Sequence, residues 1–190
     1  ENLRQCVSAT GIEVSQFVLN PLAAGEIVLS ETEREMGVAV VDLGGGTTDL
    51  AIYIGGDVWH TNVLTVGGNH VTTDIAHGLR LPIDVAEEVK VQHGHSYMKD
   101  IADDETFNVV SFGSEQSQKV SRKELANIIE AREEEILMLV LQEIRRSGYD
   151  GMLPAGIVLT GGGSLMPGIR KLAIDVTGLP VRIGKPERMV

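Results

Sequence analysis

The residues with the clearest chemical potential form a glycine-rich segment that follows an apolar run at residues 38–43. Asp42 lies near the end of that run, Gly44, Gly45 and Gly46 follow, and Thr47 adds a hydroxyl. Glycines leave backbone N–H groups unobstructed, so several can converge on phosphate oxygens, and we expect positive φ at Gly45. A buried carboxylate such as Asp42 is costly unless it meets a cation, and Mg²⁺ with its retained waters fits there. A plain glycine-rich hairpin is the alternative.

A second glycine segment follows another apolar run, at residues 157–160. It consists of Gly161, Gly162, Gly163 and Ser164. A loop without side chains lets a flat base or a ribose lie against the backbone, and a helix beyond it would present free N–H groups. Turns of this kind between a strand and a helix are common, so the segment alone does not establish a site.

The elements that must position these loops follow from apolar periodicity and turn residues. Gly55 and Gly56 predict a type I′ hairpin, and Ser121 with Glu124 predicts a capping box that opens a long helix ending at Gly148. Asp84 is expected to cap a shorter helix. The predicted strands cover 13–19, 38–43, 49–54, 57–66, 109–112, the surroundings of 120, 157–160 and 180–183. The other predicted helices cover the opening residues, 21–29, the surroundings of 71–79, and 167–177. Residues 94–108 are polar and predict an exposed loop.

Composition excludes several classes of protein. The net charge of −11 argues against nucleic-acid binding, because phosphates repel an acidic surface. The single cysteine, Cys6, cannot form an internal disulfide. The apolar run at 136–141 is far shorter than the roughly 20 residues of a membrane span. Because the chain opens within a predicted helix and has no initiator methionine, we expect it to be part of a longer protein.

Taken together and in this order, the two glycine segments resemble motifs of the actin, Hsp70 and sugar-kinase superfamily. Residues 42–49, Asp-Leu-Gly-Gly-Gly-Thr-Thr-Asp, are similar to its second phosphate motif, and residues 159–164 are similar to its adenosine motif. The resemblance implies an α/β, actin-like ATPase lobe of the ribonuclease H-like kind. Such a lobe has a mixed sheet with flanking helices and a smaller inserted α+β subdomain. We therefore expect subdomain 2A at 1–67 and 136–190, and subdomain 2B at 68–135.

Within that superfamily the chain resembles the FtsA family of bacterial cell-division proteins along nearly its whole length. A third segment, at 86–90, resembles the helix that contacts adenine and ribose in bacterial actins. Glu87 and Lys90 are three residues apart on one helical face and are candidates for the ribose hydroxyls, with a solvated surface pair as the alternative. The other matching segments are 21–24, the acidic turn at 31–35, Gly37, 66–69, 73–76, 90–91 and Gly94.

The family resemblance implies Mg-ATP bound between this lobe and another, with self-association into actin-like filaments. It also implies binding to the C-terminal tail of FtsZ, the tubulin-like ring protein, through subdomain 2B. Arg122 and Arg132 are candidates for contacts with acidic residues of that tail, although solvated helix charges explain them equally well. The implied location is cytoplasmic, at the inner face of the membrane at the division site.

Departures from the family pattern define the alternatives. Actin-like ATPases usually carry an acid directly before the Pro-x-Ala-Ala segment, and this chain has Asn20 there, so we expect weak ATPase activity at most in the full-length protein. The first phosphate motif, the other lobe, the family's inserted domain and an amphipathic anchor are not found. We therefore expect no hydrolysis by this chain alone. An actin-fold sugar kinase or phosphatase and an Hsp70-like chaperone ATPase remain as alternatives.

Overall fold

The computed structural model describes residues 2–113 and 116–186, in which three helices precede three strands, two further helices precede a two-stranded hairpin, and helices and strands alternate from residue 122 onward. The helices are α1 (Asn2–Ser8), α2 (Asn20–Val28), α3 (Glu31–Met36), α4 (Gly68–Leu79), α5 (Ile83–His93), α6 (Arg122–Ser147) and α7 (Ile169–Thr177). The strands are β1 (Val38–Leu43), β2 (Thr48–Ile54), β3 (Asp57–Leu64), β4 (Thr106–Val110), β5 (Ser117–Ser121), β6 (Ile157–Thr160) and β7 (Val181–Ile183).

A mixed five-stranded sheet in the order β3-β2-β1-β6-β7 forms the centre of the larger part. β1, β2 and β3 are antiparallel neighbours, whereas β6 and β7 run parallel to β1. β1 reads as a continuous apolar run because both of its faces are covered. Val41 on one face packs with α6 and α7, and Val40 on the other packs with α2.

A smaller group of elements has its own apolar cluster. It combines α4, α5, the β4–β5 hairpin and the first part of α6. α6 contributes Leu125 and Ile129 to this cluster but Ile136 and Val140 to the cluster beneath the main sheet. One 26-residue helix therefore joins the two parts. The division into subdomains 2A and 2B at residue 135 stays a prediction.

Several sequence expectations are confirmed in detail. The strands at 38–43 and 157–160 have the predicted bounds. Gly55 and Gly56 have φ angles of 60° and 82° between β2 and β3, as a type I′ turn requires. α6 ends at Ser147 because Gly148 adopts the left-handed conformation with φ 81°. No helix within 2–113 and 116–186 has the length and apolar composition that a membrane crossing requires.

Two expectations about strands and loops are wrong. Residues 13–19 form no strand, because nothing in the described part of the sheet pairs with them, and Phe17 and Val18 are exposed. The predicted exposed loop at 94–108 contains a 3₁₀ turn and the start of β4, and it buries Ser96 and Tyr97. A strand needs a partner as well as a suitable residue pattern, and residues 13–19 lack that partner.

Two predicted helix caps also differ. Ser121 precedes α6 as the last residue of β5, and its side chain makes no cap bond to the first turn of the helix. Asp84 lies inside the first turn of α5, and Pro82 occupies the capping position. A capping box does form at α3, where Ser30 and Glu33 bond reciprocally.

Candidate nucleotide-binding cleft

The first glycine loop joins β1 to β2 and is held by its own backbone and by the start of α4. Gly44 donates its N–H to the carbonyl of Thr47 at 3.0 Å, and Gly68 donates to the carbonyl of Gly44 at 2.9 Å. The N–H groups of Gly45 and Gly46 donate to no backbone carbonyl among the described residues. Backbone N–H groups in a loop that have no carbonyl partner are available to bind an anion.

The predicted positive φ at Gly45 is wrong. None of the three glycines in this loop adopts the left-handed region. A Cβ on Gly45 would lie 3.2 Å from Oδ1 of Asn69, a tight contact that a small shift of the Asn69 side chain would relieve. A Cβ on Gly67 would overlap the carbonyl oxygens of Gly44 and Gly45, which pack directly on the start of α4.

The second glycine loop leaves β6 beside the first, because β1 and β6 are parallel and Asp42 pairs with Thr160. Gly161 has φ +81°, and a Cβ there would overlap Oδ1 of Asp42. Ser164 is buried and donates its hydroxyl to the carbonyl of Gly161 at 2.7 Å, so it shapes the loop. A 3₁₀ turn at Gly162–Leu165 follows, and α7 begins at Ile169, later than the predicted start at residue 167.

The third predicted segment contributes a polar cluster on the opposite wall. Nζ of Lys90 donates to Oε2 of Glu87 at 2.6 Å, to the hydroxyl of Thr72 at 2.8 Å and to the carbonyl of Gly68 at 3.2 Å. Burial raises the pKa of Glu87, but the hydrogen bonds from Lys90 and Thr72 outweigh it and the pKa is lowered. The cluster therefore carries a carboxylate and an ammonium side by side on α5.

These three segments enclose a cleft of about 370 Å³. Six of the predicted site residues line it: Gly44, Gly45, Glu87, Lys90, Gly162 and Gly163. Leu165, Met166 and Pro167 add apolar surface next to the second loop. The cleft wall does not include the other predicted residues Asp42, Gly46, Thr47, Gly161 and Ser164.

Asp42 lies opposite Asp49 across the β1–β2 ladder. Burial, and then the charge of Asp49, raises the pKa of the Asp42 carboxyl. Asp42 is therefore a carboxyl whose ionised form gains from a nearby cation. Groups of three or more potential metal ligands are absent from the described residues. Because Mg²⁺ is commonly held by one or two carboxylates together with phosphates and water, Asp42 fits the ion only with a nucleotide present.

The two predicted partner-binding arginines already have acidic neighbours. Arg132 donates to both oxygens of Asp74, at 2.6 and 3.2 Å, and to Glu135 at 2.5 Å. Arg122 donates to Glu105 at 2.6 Å and to the carbonyl of His93. A carboxylate of a partner would share or displace these acids.

Glu133 is the residue of this region that the sequence interpretation missed. It lines the cleft from α6, yet its side chain is buried and Oε2 has no hydrogen-bond partner among the residues that the structure describes. A signal was present, because Glu133 follows Ile129 by four residues and precedes Ile136 by three, which places a carboxyl on the apolar face of the helix.

Comparison with known proteins identifies the family. The family model "Cell division protein FtsA" matches residues 39–190. The chain belongs to the FtsA family. It is 45% identical over 186 residues to the FtsA protein of Pseudomonas aeruginosa, covering 98% of this chain and 45% of that protein. It is 46% identical over 185 residues to the FtsA protein of Bacillus subtilis, covering 97% of this chain and 42% of that protein. The chain thus spans about half the length of the FtsA relatives it matches.

Solved structures confirm the predicted actin-like α/β fold for this FtsA-family chain. MreB5 of Spiroplasma citri bound to ADP superposes with a TM-score of 0.79 at 25% identity, covering 97% of this chain and 60% of that one. The same protein bound to AMPPNP superposes with a TM-score of 0.82 at 26% identity, covering 96% of this chain and 58% of that one. The PilM-PilN type IV pilus biogenesis complex, at 21% identity and a TM-score of 0.63, covers 97% and 46% and shares the fold.

Proposed function

We propose that this chain supplies one half of an Mg-ATP site in an FtsA-type cell-division protein. The observation that carries the proposal is the convergence of two glycine loops and the Lys90–Glu87 pair on one cleft. Both loops leave adjacent parallel strands at the same edge of the sheet, which is where α/β proteins bind ligands. The related MreB5 structures contain ADP and AMPPNP, which supports a nucleotide as the ligand.

Each part of the cleft has a distinct role in this proposal. The N–H groups of Gly45 and Gly46 bind phosphate oxygens, with the hydroxyl of Thr47 beside them. Glu87 and Lys90 bind the ribose hydroxyls. Gly162 and Gly163 provide a flat surface for the base, and Gly161 and Ser164 hold that loop in shape. When bound, Mg²⁺ neutralises phosphate charge, and Asp42 holds one of its water ligands.

For the whole protein, we propose the role that family membership suggests. It assembles into actin-like filaments in the cytoplasm and binds the C-terminal tail of FtsZ through subdomain 2B. It connects the division ring to the inner face of the membrane by an anchor elsewhere in the protein. Residues 68–135 form subdomain 2B, and residues 1–67 with 136–190 form subdomain 2A.

The proposal is tested by titrating this chain with Mg-ATP and following the methyl resonance of Met166, which lines the cleft. Gly45→Val is expected to weaken binding at least tenfold, about 1.4 kcal/mol, because the branched side chain fills the space of a phosphate. Gly151→Val is the matched control, since a Cβ at Gly151 meets no atom within 4 Å and Gly151 lies outside the cleft wall. Binding to Gly45→Val within twofold of the wild type would show that this loop is only a hairpin.

We expect no measurable ATP hydrolysis by this chain alone. It provides one wall of the site, and catalysis of phosphoryl transfer depends on positioning from both sides. Phosphate release is measured with Mg-ATP at saturating concentration. Release that requires magnesium and disappears in Asp42→Ala would contradict the expectation.

A further inference from the structure

Glu133 is a buried carboxyl at the junction between the two apolar clusters of the chain. It lies on α6 between Ile129, which belongs to the smaller cluster, and Ile136, which belongs to the larger one. Only 6% of the residue is exposed, and Oε2 has no hydrogen-bond partner in the described structure. Buried polar groups are almost always hydrogen-bonded, so an exception of this kind calls for an explanation.

The surroundings of Glu133 do not neutralise it. Burial raises the pKa of its carboxyl to about 7, and the nearby Ser96 hydroxyl and the Lys90 ammonium oppose that rise only in part. Lys90 is already engaged by Glu87, Thr72 and the carbonyl of Gly68. The Ser96 hydroxyl is buried and has no other partner within the described part of the chain, so it can donate one hydrogen bond to the carboxyl and no more.

The position of the carboxyl indicates what its partner is. Glu133 lines the 370 Å³ cleft and also a chamber of about 20 Å³ beneath it. The chamber is large enough for one water, but apolar side chains form much of its lining, namely Leu43, Val71, Ile136, Leu137 and Ile169. Gly67, Gly68 and Gly163 also line it, and the backbone N–H groups and carbonyls of Gly67 and Gly68 already have partners. A buried water needs two to four polar partners, and this lining offers it few. The other space beside Glu133 is the cleft, which this residue also lines.

We propose that Glu133 makes a hydrogen bond to the nucleoside of the bound nucleotide, through either a ribose hydroxyl or the amino group of the base. This inference rests on the proposed nucleotide site. One hydroxyl, that of Ser96, leaves a buried carboxylate short of hydrogen bonds, and the nucleoside supplies a further donor in the cleft, which the Lys90 cluster and the second glycine loop also line. Glu133 is then a specificity-determining residue whose burial destabilises the empty chain.

The proposal predicts opposite changes in stability and affinity. Glu133→Leu removes an unpaired buried carboxyl, so the thermal midpoint of the nucleotide-free chain is expected to stay the same or rise. Its affinity for Mg-ATP is expected to fall at least tenfold. Glu133→Gln keeps one acceptor oxygen and should bind within threefold of the wild type. Glu134→Leu is the matched control, because Glu134 is the adjacent residue and is exposed.

The measurement is a titration followed by the methyl resonance of Met166, with Mg-ATP, its 2′-deoxy and 3′-deoxy forms, and purine riboside triphosphate, which lacks the amino group. The analogue for which wild type and Glu133→Leu bind equally identifies the donor. If the leucine variant does not fold, Glu133→Met, whose unbranched side chain follows the same path, replaces it.

The outcomes separate this inference from the function on which it rests. Weaker binding with an unchanged or higher thermal midpoint supports it. Binding of Mg-ATP within twofold of the wild type overturns it and leaves the nucleotide site standing. Weaker binding of Mg-ATP with a lower thermal midpoint in both Glu133→Leu and Glu133→Met also overturns the inference, because the carboxyl then has a structural role. A wild-type chain that does not respond to Mg-ATP overturns both proposals.

Discussion

Arg182 on β7 shows how one side chain connects distant segments. Its Nε and Nη2 donate to the two carboxylate oxygens of Glu33 at 2.5 and 2.7 Å, and Nη2 also donates to the carbonyl of Val28 at 2.6 Å. The same carboxylate accepts the N–H of Ser30 in the capping box of α3. The planar fork of arginine suits this two-oxygen contact and satisfies a carbonyl at the end of α2.

The Glu33 contact predicts acid sensitivity. The Arg182 hydrogen bond, opposed by burial and assisted by Ser30, lowers the pKa of Glu33 from 4.5 to about 2. Because the folded-state pKa is lower, the stabilisation is complete above pH 4.5 and is lost as the pH falls towards 2. We expect Glu33→Gln to lower the free energy of unfolding at pH 7 by about 1–2 kcal/mol, after allowing for partial solvent exposure.

Urea unfolding of both chains between pH 2 and pH 7 measures this difference. Glutamine keeps one acceptor oxygen for the capping interaction but replaces the other by an amide NH2, so Glu33→Gln loses a hydrogen bond from Arg182 as well as the charge, and the pH dependence of the difference reports the charge. Glu35→Gln is the control, because Glu35 is exposed on the same helix. If the difference in unfolding free energy between Glu33→Gln and the wild type does not change with pH, the prediction is wrong.

At the scale of elements, α4 and α6 approach closely where glycine permits it. A Cβ on Gly78 of α4 would lie 2.7 Å from Cδ1 of Ile128 on α6. Gly78 does not have positive φ, so alanine suits its helical backbone and gains about 1 kcal/mol in propensity. The contact with Ile128 opposes that gain, and the balance depends on one terminal methyl group.

A double-mutant cycle tests this contact. We expect Gly78→Ala and Ile128→Val to couple favourably by at least about 0.5 kcal/mol in unfolding free energy, since valine lacks the Cδ1 atom that alanine would meet. Chemical denaturation of the single and double variants gives the coupling energy. Gly151→Ala with Ile128→Val is the control pair, because a Cβ at Gly151 meets nothing within 4 Å. Additive effects at Gly78 and Ile128 would contradict the prediction.

The elements also show which features sequence could predict. The buried strand β1 and the turn at Gly55 and Gly56 depend on local periodicity and on residues that tolerate positive φ, and both were predicted correctly. The cap at Ser121 and the strand at 13–19 depend on partners elsewhere, and both predictions were wrong. Ser30 and Glu33 carry the capping-box pattern of α3, but the sequence interpretation treats residues 31–35 as an acidic turn.

The same distinction applies to the candidate site. The glycine loops could be predicted from local residue types, and the Glu87–Lys90 pair from the resemblance of residues 86–90 to a helix of bacterial actins. Thr72 and Gly68 accept hydrogen bonds from Lys90 because α4 packs against α5. The spacing of residues along the chain does not reveal that packing. To predict Glu133 as a site residue, one must notice that a carboxyl on the apolar face of a helix is unusual and calls for an explanation.

At the scale of the whole molecule, α6 brings the proposed nucleotide site and the proposed partner surface onto one helix. Glu133 faces inward to the cleft, whereas Arg132, the preceding residue, bonds Asp74 on α4. Arg122 lies at the start of the same helix and bonds Glu105. A peptide that draws these arginines away from their acids would therefore act on α4 and α6 together.

This arrangement leads to the prediction about FtsZ. We expect a peptide with the sequence of the FtsZ C-terminal tail to bind this chain, with Arg122 and Arg132 among its contacts. Exposed ion pairs contribute only about 0–1 kcal/mol each, and each arginine already has an intrachain acid, so one substitution can be silent. Arg122→Glu with Arg132→Glu should weaken the peptide at least tenfold, about 1.4 kcal/mol.

Calorimetric titration of the peptide measures the effect, and thermal unfolding must show that the double variant still folds, since it loses three intrachain ion pairs. The control is Arg145→Glu with Lys185→Glu, which makes the same change of charge at two exposed residues away from the start of α6. If long-range attraction between an acidic peptide and basic residues caused the binding, both double variants would weaken it equally and added salt would abolish it. A specific site requires that only Arg122→Glu with Arg132→Glu weakens the binding. No binding to the wild type, or unchanged binding to Arg122→Glu with Arg132→Glu, would remove the basis for placing the partner here.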